Sequence, residues 1–541
     1  MSSAPESPVA RLRLRGPAII GALVAIVCGI LAIWFRGHDG PTGPTTASAA
    51  DGSASQSGEV LPIVDGWPAP AFVLAITGQQ HGYIEPCGCS PKQSGGLARR
   101  ADLFRQLREE KKWSVLGLET GGSLDEMRVT RPQSELKFAM ILDALNGMGY
   151  RSLGLGTEEL KIGAFKLFDI HSNRRVEKDF DVPFVAANVV LLGSPTLETP
   201  TRHRVLEING HKVGVTSIYG SNYRSKLSTL PEDEIQILPP LEVLPETLAA
   251  MKKEGAEYFV LMSYSDVEES RQLAKKFPEF QLVVSAEGAD DPGDEHEFIG
   301  QTLFFVSAMK GKYVNVVGVY PGEKPAVRFE RIELDQDRFG RSPFVRQLMA
   351  DYQLALKEAW LDPDSPLRSG AFPHPSGRQF AGVQSCKSCH ASAYEVWEGS
   401  NHAHATASLL EGRPEEKGTW IDRTYDPECI CCHATGWDAQ DATPYADGFM
   451  DAKSTPHLVG NQCENCHGPA STHVNLETAW KKSGGPRGEA LLKAREELHI
   501  TPAGAEKSCL KCHDFANSPN FKFEDYWPQI EHPTPSAEKS P

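Results

Sequence analysis

Cys386-Lys-Ser-Cys389-His390, Cys429-Ile-Cys-Cys432-His433, Cys463-Glu-Asn-Cys466-His467 and Cys509-Leu-Lys-Cys512-His513 repeat one pattern in the last third of the chain. Each repeat has the chemistry of a c-type haem attachment site. Two thiols at this spacing form thioethers with the haem vinyl groups, and the adjoining imidazole is aimed at the iron. Zinc or disulfide use of Cys-x-x-Cys does not require His at the next position four times over. Four covalent haems are therefore expected, with Cys386, Cys389, Cys429, Cys432, Cys463, Cys466, Cys509 and Cys512 as attachment points. His390, His433, His467 and His513 are the proximal ligands.

Outward from these motifs, cysteine usage agrees. Eight of the twelve cysteines are consumed by them, leaving Cys28, Cys87, Cys89 and Cys431, so disulfide scaffolding is not the theme. The 541 residues leave room for two to four domains. A formal net charge of -16 argues against nucleic acid and for an acidic surface.

Three arginines, Arg11, Arg13 and Arg15, precede an apolar run over residues 16–35. At about 1.5 Å per residue the run is long enough to cross a bilayer as an uncleaved signal anchor. The arginine bias leaves residues 1–15 in the cytoplasm and the bulk of the chain outside it, in the periplasm. Ala47-Ser-Ala49 offers a competing cleavage site, but it lies far beyond the run. Residues 36–70 are rich in Gly, Pro, Ser, Thr and Ala and read as a flexible tether.

Between residues 71 and 340, short apolar runs such as Phe72-Val-Leu-Ala-Ile76 and Phe259-Val-Leu-Met262 alternate with amphipathic stretches. That alternation predicts an α/β domain. Residues 341–375 read as a connecting helix, centred on Phe344 to Trp360, and a Pro/Gly-rich linker. Residues 376–541 lack regular periodicity, as expected of a mostly α, loop-rich polypeptide wrapped around haems.

The α/β part resembles the 5'-nucleotidase type of calcineurin-like metallophosphoesterase. The residues that carry the likeness are Thr77-Gly-Gln-Gln-His-Gly82, Gly95-Gly-Leu-Ala-Arg-Arg100, Leu118-Glu-Thr-Gly-Gly122, Gly156-Thr-Glu-Glu159 and Ala187-Asn188. The resemblance implies a four-layer sandwich of two β-sheets covered by helices, and a pair of divalent metals that clamp a phosphoryl group. The chain departs from the family at almost every ligand. Gln79 and Gly122 stand for aspartates, Thr157 for Asn and Glu158 for the catalytic His. Ser263-Tyr264 and Ser285-Ala-Glu287 stand where further histidines belong. Only His81 survives, so the domain is expected to be inactive and no further metal is expected in it. Glu119, Glu158, Glu159 and Glu287 read as solvated or paired surface acids, or as a carboxylate site if they converge. Cys87 and Cys89 flank one glycine beyond the His81 loop, and three readings stay open: a strained disulfide, a soft-metal site with His81, or two thiols.

The C-terminal part resembles the cytochrome c-554 family of tetrahaem proteins. Cys386 to Tyr394, Trp397-Glu-Gly-Ser-Asn-His-Ala403, Cys463 to His473 and Ser518 to His532 carry the likeness. It implies that His402 and His473 are distal haem ligands. Met450 is the only methionine of this part, so histidine must supply most distal positions, with His532 and His457 as further candidates. His374, His404 and His499 read as surface residues. The second motif, crowded by Cys431 and with no later histidine before His457, is the candidate for an open iron.

The leading expectation is a membrane-anchored periplasmic electron carrier whose partners are periplasmic or membrane redox proteins. An oxidoreductase acting on a small nitrogen or sulfur oxide at a five-coordinate haem is the alternative. Phosphoester hydrolysis in the middle domain is the weakest of the three.

Overall fold

The computed structural model describes residues 62–532 apart from 87–92, 177–178, 195–196, 198, 290–291, 413–417 and 516. The predicted membrane span of residues 16–35 and the Cys87/Cys89 pair lie outside the described residues. Among the described residues, no helix is long and apolar enough to cross a membrane.

Two six-stranded sheets organise the first part of the described chain. In the first, the strand order is Val327–Glu333, Tyr313–Val319, Phe72–Thr77, Val115–Glu119, Tyr150–Gly154 and Phe184–Val185. The last four strands run parallel to one another. The second sheet runs Glu297–Ile299, Thr302–Val306, Leu282–Ser285, Tyr258–Tyr264, His211–Tyr219 and His203–Ile208.

Strand periodicity sets the layers, because alternate side chains leave opposite faces of a sheet. Phe72, Leu74 and Ile76 meet Val215, Val260, Met262, Val284 and Phe305 of the facing sheet. Val73 and Ala75 point the other way, onto Phe104, Leu107, Phe138 and Leu145 of the covering helices. On the far side of the second sheet, Leu261, Val283 and Phe304 receive Leu244, Leu248, Met251 and Leu273. Helix, sheet, sheet, helix is the four-layer sandwich that the resemblance implies. Each fully buried aliphatic or aromatic side chain contributes about 1.5–3 kcal/mol to holding it.

Helix Pro132–Met148 is the element that matters most for the site below. Pro132 starts it, where the missing N–H has no intrahelical partner to lose. Gly149 ends it at φ 80°, a left-handed cap that leaves no space for a side chain beside the Arg108 guanidinium. The predicted connecting helix is Pro343–Leu361, and it is more than a connector. Val345, Met349, Tyr352 and Leu356 join the apolar core of the α/β part, while Trp360 enters the cluster around the second haem motif. The described residues accordingly form one compact unit.

Candidate functional site: facing imidazoles and a filled metal pocket

In each Cys-x-x-Cys-His motif the backbone takes a helical turn, shown by His390 N bonding Cys386 O at 2.9 Å and His513 N bonding Cys509 O at 2.8 Å. Residues three and four apart share a helix face, so both thiols and the imidazole project to one side. Helices Pro427–His433 and Cys463–His467 present the second and third motifs in the same way.

Three pairs of imidazoles face each other. His390 and His473 have ring centroids 6.3 Å apart, His402 and His513 6.1 Å, and His467 and His532 5.8 Å. A metal held between two imidazoles asks for centroids roughly 6 Å apart: about 2 Å per metal–nitrogen bond and about 1 Å from each nitrogen to its ring centre. The donor set is prepared for that role. His467 Nδ1 lies 2.7 Å from Leu498 O and His433 Nδ1 2.7 Å from Ala405 O. A carbonyl only accepts, so Nδ1 carries the proton and Nε2 keeps its lone pair for iron. Burial also lowers the pKa of His402, His467, His473 and His513, which favours the neutral imidazole.

His433 faces no second imidazole among the described ring contacts. His457 is exposed on a short 3-10 turn, packed against Gly382 rather than opposite His433. A span of sequence between two motifs says nothing about direction, and the turn Pro456–Leu458 aims this side chain outward. His404 and His499 are exposed, whereas His374 is half-buried against Phe380 and Tyr445.

Apolar packing also fits bound porphyrins. The buried cluster of this part, Trp360, Leu409, Ile430, Cys431, Ala434, Trp437, Ala442, Phe449 and Leu458, surrounds the second motif alone. Around the fourth motif Leu510, Phe515 and Tyr526 are exposed and offer apolar surface to a flat apolar group. The attachment thiols themselves meet in pairs, Cys386 with Cys463 and Cys432 with Cys512.

The second cluster lies at the carboxyl ends of the parallel strands, where α/β sheets place their sites. Gln79 and His81 sit at φ 51° and 47°, held by Gln79 N to Gly121 O at 2.8 Å and His81 N to Gly122 O at 2.9 Å. The loop geometry is thus retained while the ligands have gone. A Cβ on Gly122 would stand 3.0 Å from Gln79 Cα, at φ 80°, so no aspartate fits there without moving the loop. Tyr264 fills the space over Gly156 and donates to Glu158 at 2.6 Å. Tyr219 and Tyr223 complete an aromatic plug against it. Beside it Ser263, Ser270 and Ser285 close into a hydroxyl network.

Glu119, Glu158 and Glu159 are buried, against the expectation of surface acids. Glu159 is satisfied by the backbone N–H groups of Gly122, Ser123 and Gly156, so it ties the two loops together. Glu119 pairs with Arg100 at 3.3 Å and with Thr77 at 2.6 Å. Desolvation pushes Glu119 to about 7, and desolvation with the neighbouring Glu159 pushes Glu158 to about 8. Glu287 is exposed. No group of three or more His, Cys, Asp or Glu able to hold a metal assembles among the described residues. An amide, a glycine and a tyrosine plug do not fit a dimetal centre.

Fold and motifs together resemble a c-type cytochrome domain joined to a metallophosphoesterase-like α/β domain. Residues 385–468 match the family of cytochrome c554 and c-prime. Cytochrome c-554 of Nitrosomonas europaea is 30% identical over 153 residues, 26% of this chain and 60% of that protein. The chain therefore spans less than two thirds of that relative. The trifunctional nucleotide phosphoesterase protein YfkN of Bacillus subtilis is 25% identical over 211 residues, 36% of this chain and 14% of that protein. A 5'-nucleotidase precursor from Thermus thermophilus aligns with TM-score 0.45 at 19% identity, covering 54% of this chain and 60% of the other.

Proposed function

We propose that the protein is a membrane-anchored multihaem c-type cytochrome that passes electrons through four haems outside the cytoplasm, exchanging them with periplasmic or membrane redox proteins. The observation that carries this reading is the crosswise pairing of imidazoles: His390 with His473, His467 with His532, and His513 with His402. Each pair joins a motif histidine to one from a distant segment, and bis-histidine ligation suits electron transfer at low potential. Contact of Cys386 with Cys463, and of Cys432 with Cys512, supports edge-to-edge haem pairs within the wire. The Cys466 and Cys509 thiols, near enough to interact electrostatically, support a link between those pairs.

A second reading rests on His433, which faces no second imidazole among the described residues. An open second iron supports ligand chemistry on a small nitrogen or sulfur oxide at that haem. Phosphoester hydrolysis finds no support in the donor set of the plugged pocket. Intact mass of the exported holoprotein, taken with electron paramagnetic resonance, tests the proposal. Four haem units and at least three low-spin irons are expected. Two or fewer haems would sink it, and a high-spin iron that turns over nitric oxide or nitrite would move the function to the second reading.

A further inference from the structure

One helix of the α/β domain, Pro132–Met148, and the loop before it grip the segment that carries the second haem motif. Gln133 Nε2 donates to Asp426 Oδ1 at 2.7 Å, and Gln353 Nε2, from helix Pro343–Leu361, donates to Asp426 Oδ2 at 2.7 Å. Asp426 is the N-cap of helix Pro427–His433 and accepts from Glu428 N at 3.0 Å. Lys137 is 5% exposed and donates to the Glu428 carboxylate, one residue before Cys429. The same ammonium reaches Gly82 O, in the His81 loop, at 3.3 Å. Arg128 Nε donates to Gln440 O at 3.1 Å and lies within electrostatic reach of Glu428, Cys431 and Cys432. Arg131 pairs with Asp441 at 3.4 Å.

The charges divide by domain. Lys137, Arg128 and Arg131 come from the phosphoesterase-like part, and Asp426, Glu428 and Asp441 from the cytochrome part. A surface ion pair would be worth little, but a cation this dehydrated is held in a fixed place at low local dielectric. It acts on any charge that changes nearby. Reduction of a haem iron adds one negative charge, which a neighbouring cation stabilises and an unpaired carboxylate opposes.

We propose that the phosphoesterase-like domain is the cationic half of the second haem site, with Lys137 as the positioning residue that sets that haem's reduction potential through Glu428. The inference rests on the reading of the second motif as a haem site. It gives a domain that keeps only His81 of the family's metal ligands a reason to keep its fold: a rigid wall carrying fixed charge against one haem of the wire.

Redox titration of the full-length holoprotein, following each haem by its spectrum, tests this. Lys137→Met should lower one potential of the four, so that at a fixed electrode potential the reduced-to-oxidised ratio of that haem falls roughly three- to tenfold, a Coulomb effect across partly solvated protein. Lys137→Arg should restore it, and Lys137→Met combined with Glu428→Gln should bring it back towards wild type because neutrality returns. A merely structural lysine would give no such charge dependence. Four unchanged potentials in Lys137→Met, or an equal shift in Lys137→Arg, would overturn the proposal. If Lys137→Met does not fold, Glu428→Gln alone decides: the same haem should become easier to reduce, and no change refutes the role. Fewer than four haems in wild type would refute the functional reading instead. A shift confined to a low-spin haem would keep the tuning and remove the open second iron.

Discussion

His402 and His513 face each other at 6.1 Å, although His402 lies in the loop after the first Cys-x-x-Cys-His motif and His513 closes the fourth. The segment after a motif cannot easily carry a side chain round its own macrocycle to the opposite face. It faces the histidine of another motif instead, and His473 does the same for His390. Three such pairs tie segments that are far apart in sequence.

Replacing His402 by Ala should open the iron of the fourth motif, and His473→Ala that of the first. Each change should convert one low-spin haem to high spin with haem content unchanged, read by electron paramagnetic resonance and pyridine haemochrome assay. Loss of covalent haem in either variant would show a folding role rather than ligation.

His457→Ala should leave all haem spectra as they are, since this residue is exposed beside Gly382. A new high-spin signal in that variant would restore His457 as the second motif's distal ligand.

Stability should depend on pH through Glu158. The folded state keeps its proton up to about pH 8, while the unfolded chain releases it near 4.5. Between those values the native state binds more protons, so stability falls as pH rises. Glu158→Gln has no proton to lose and can still accept from Tyr264. Its gain in unfolding free energy, read by denaturant titration, should grow from near zero at pH 4 to about 1–3 kcal/mol at pH 8. A pH-independent difference would contradict the buried neutral acid.

The α/β domain should not hydrolyse phosphoesters with any added divalent metal. Activity that disappeared in His81→Ala would contradict this. Restoring one family ligand by Gly122→Asp should lower stability by about 1–3 kcal/mol without creating activity, because φ 80° and the Gln79 backbone leave that side chain no place.

Helix and strand positions were legible because period 2 and period 3.6 are local properties. Phe72–Thr77, Tyr258–Tyr264 and Pro343–Leu361 fall where the apolar patterns predict them. Lost metal ligands were equally legible, since the absence of a carboxylate at Gln79 or Gly122 is a fact of composition at one site. The burial of Glu119, Glu158 and Glu159 was not. A glutamate's own chemistry favours water, and only the converging strand ends supply the N–H groups, Arg100 and Tyr264 that hold Glu159, Glu119 and Glu158 inside. The tyrosine plug was missed for the same reason, although Tyr264 beside a vanished histidine was a usable signal.

Haem attachment is determined by the sequence alone, because a thioether site is made of residues within one helical turn and needs no partner from elsewhere. Which imidazoles meet is decided only by the tertiary structure. Those pairs join segments tens of residues apart, and their meeting depends on how every intervening turn directs the chain. Lys137 belongs to the same class. Nothing in its helix marks it out until the fold brings it against Glu428, where burial gives one ordinary charge its effect on a distant segment.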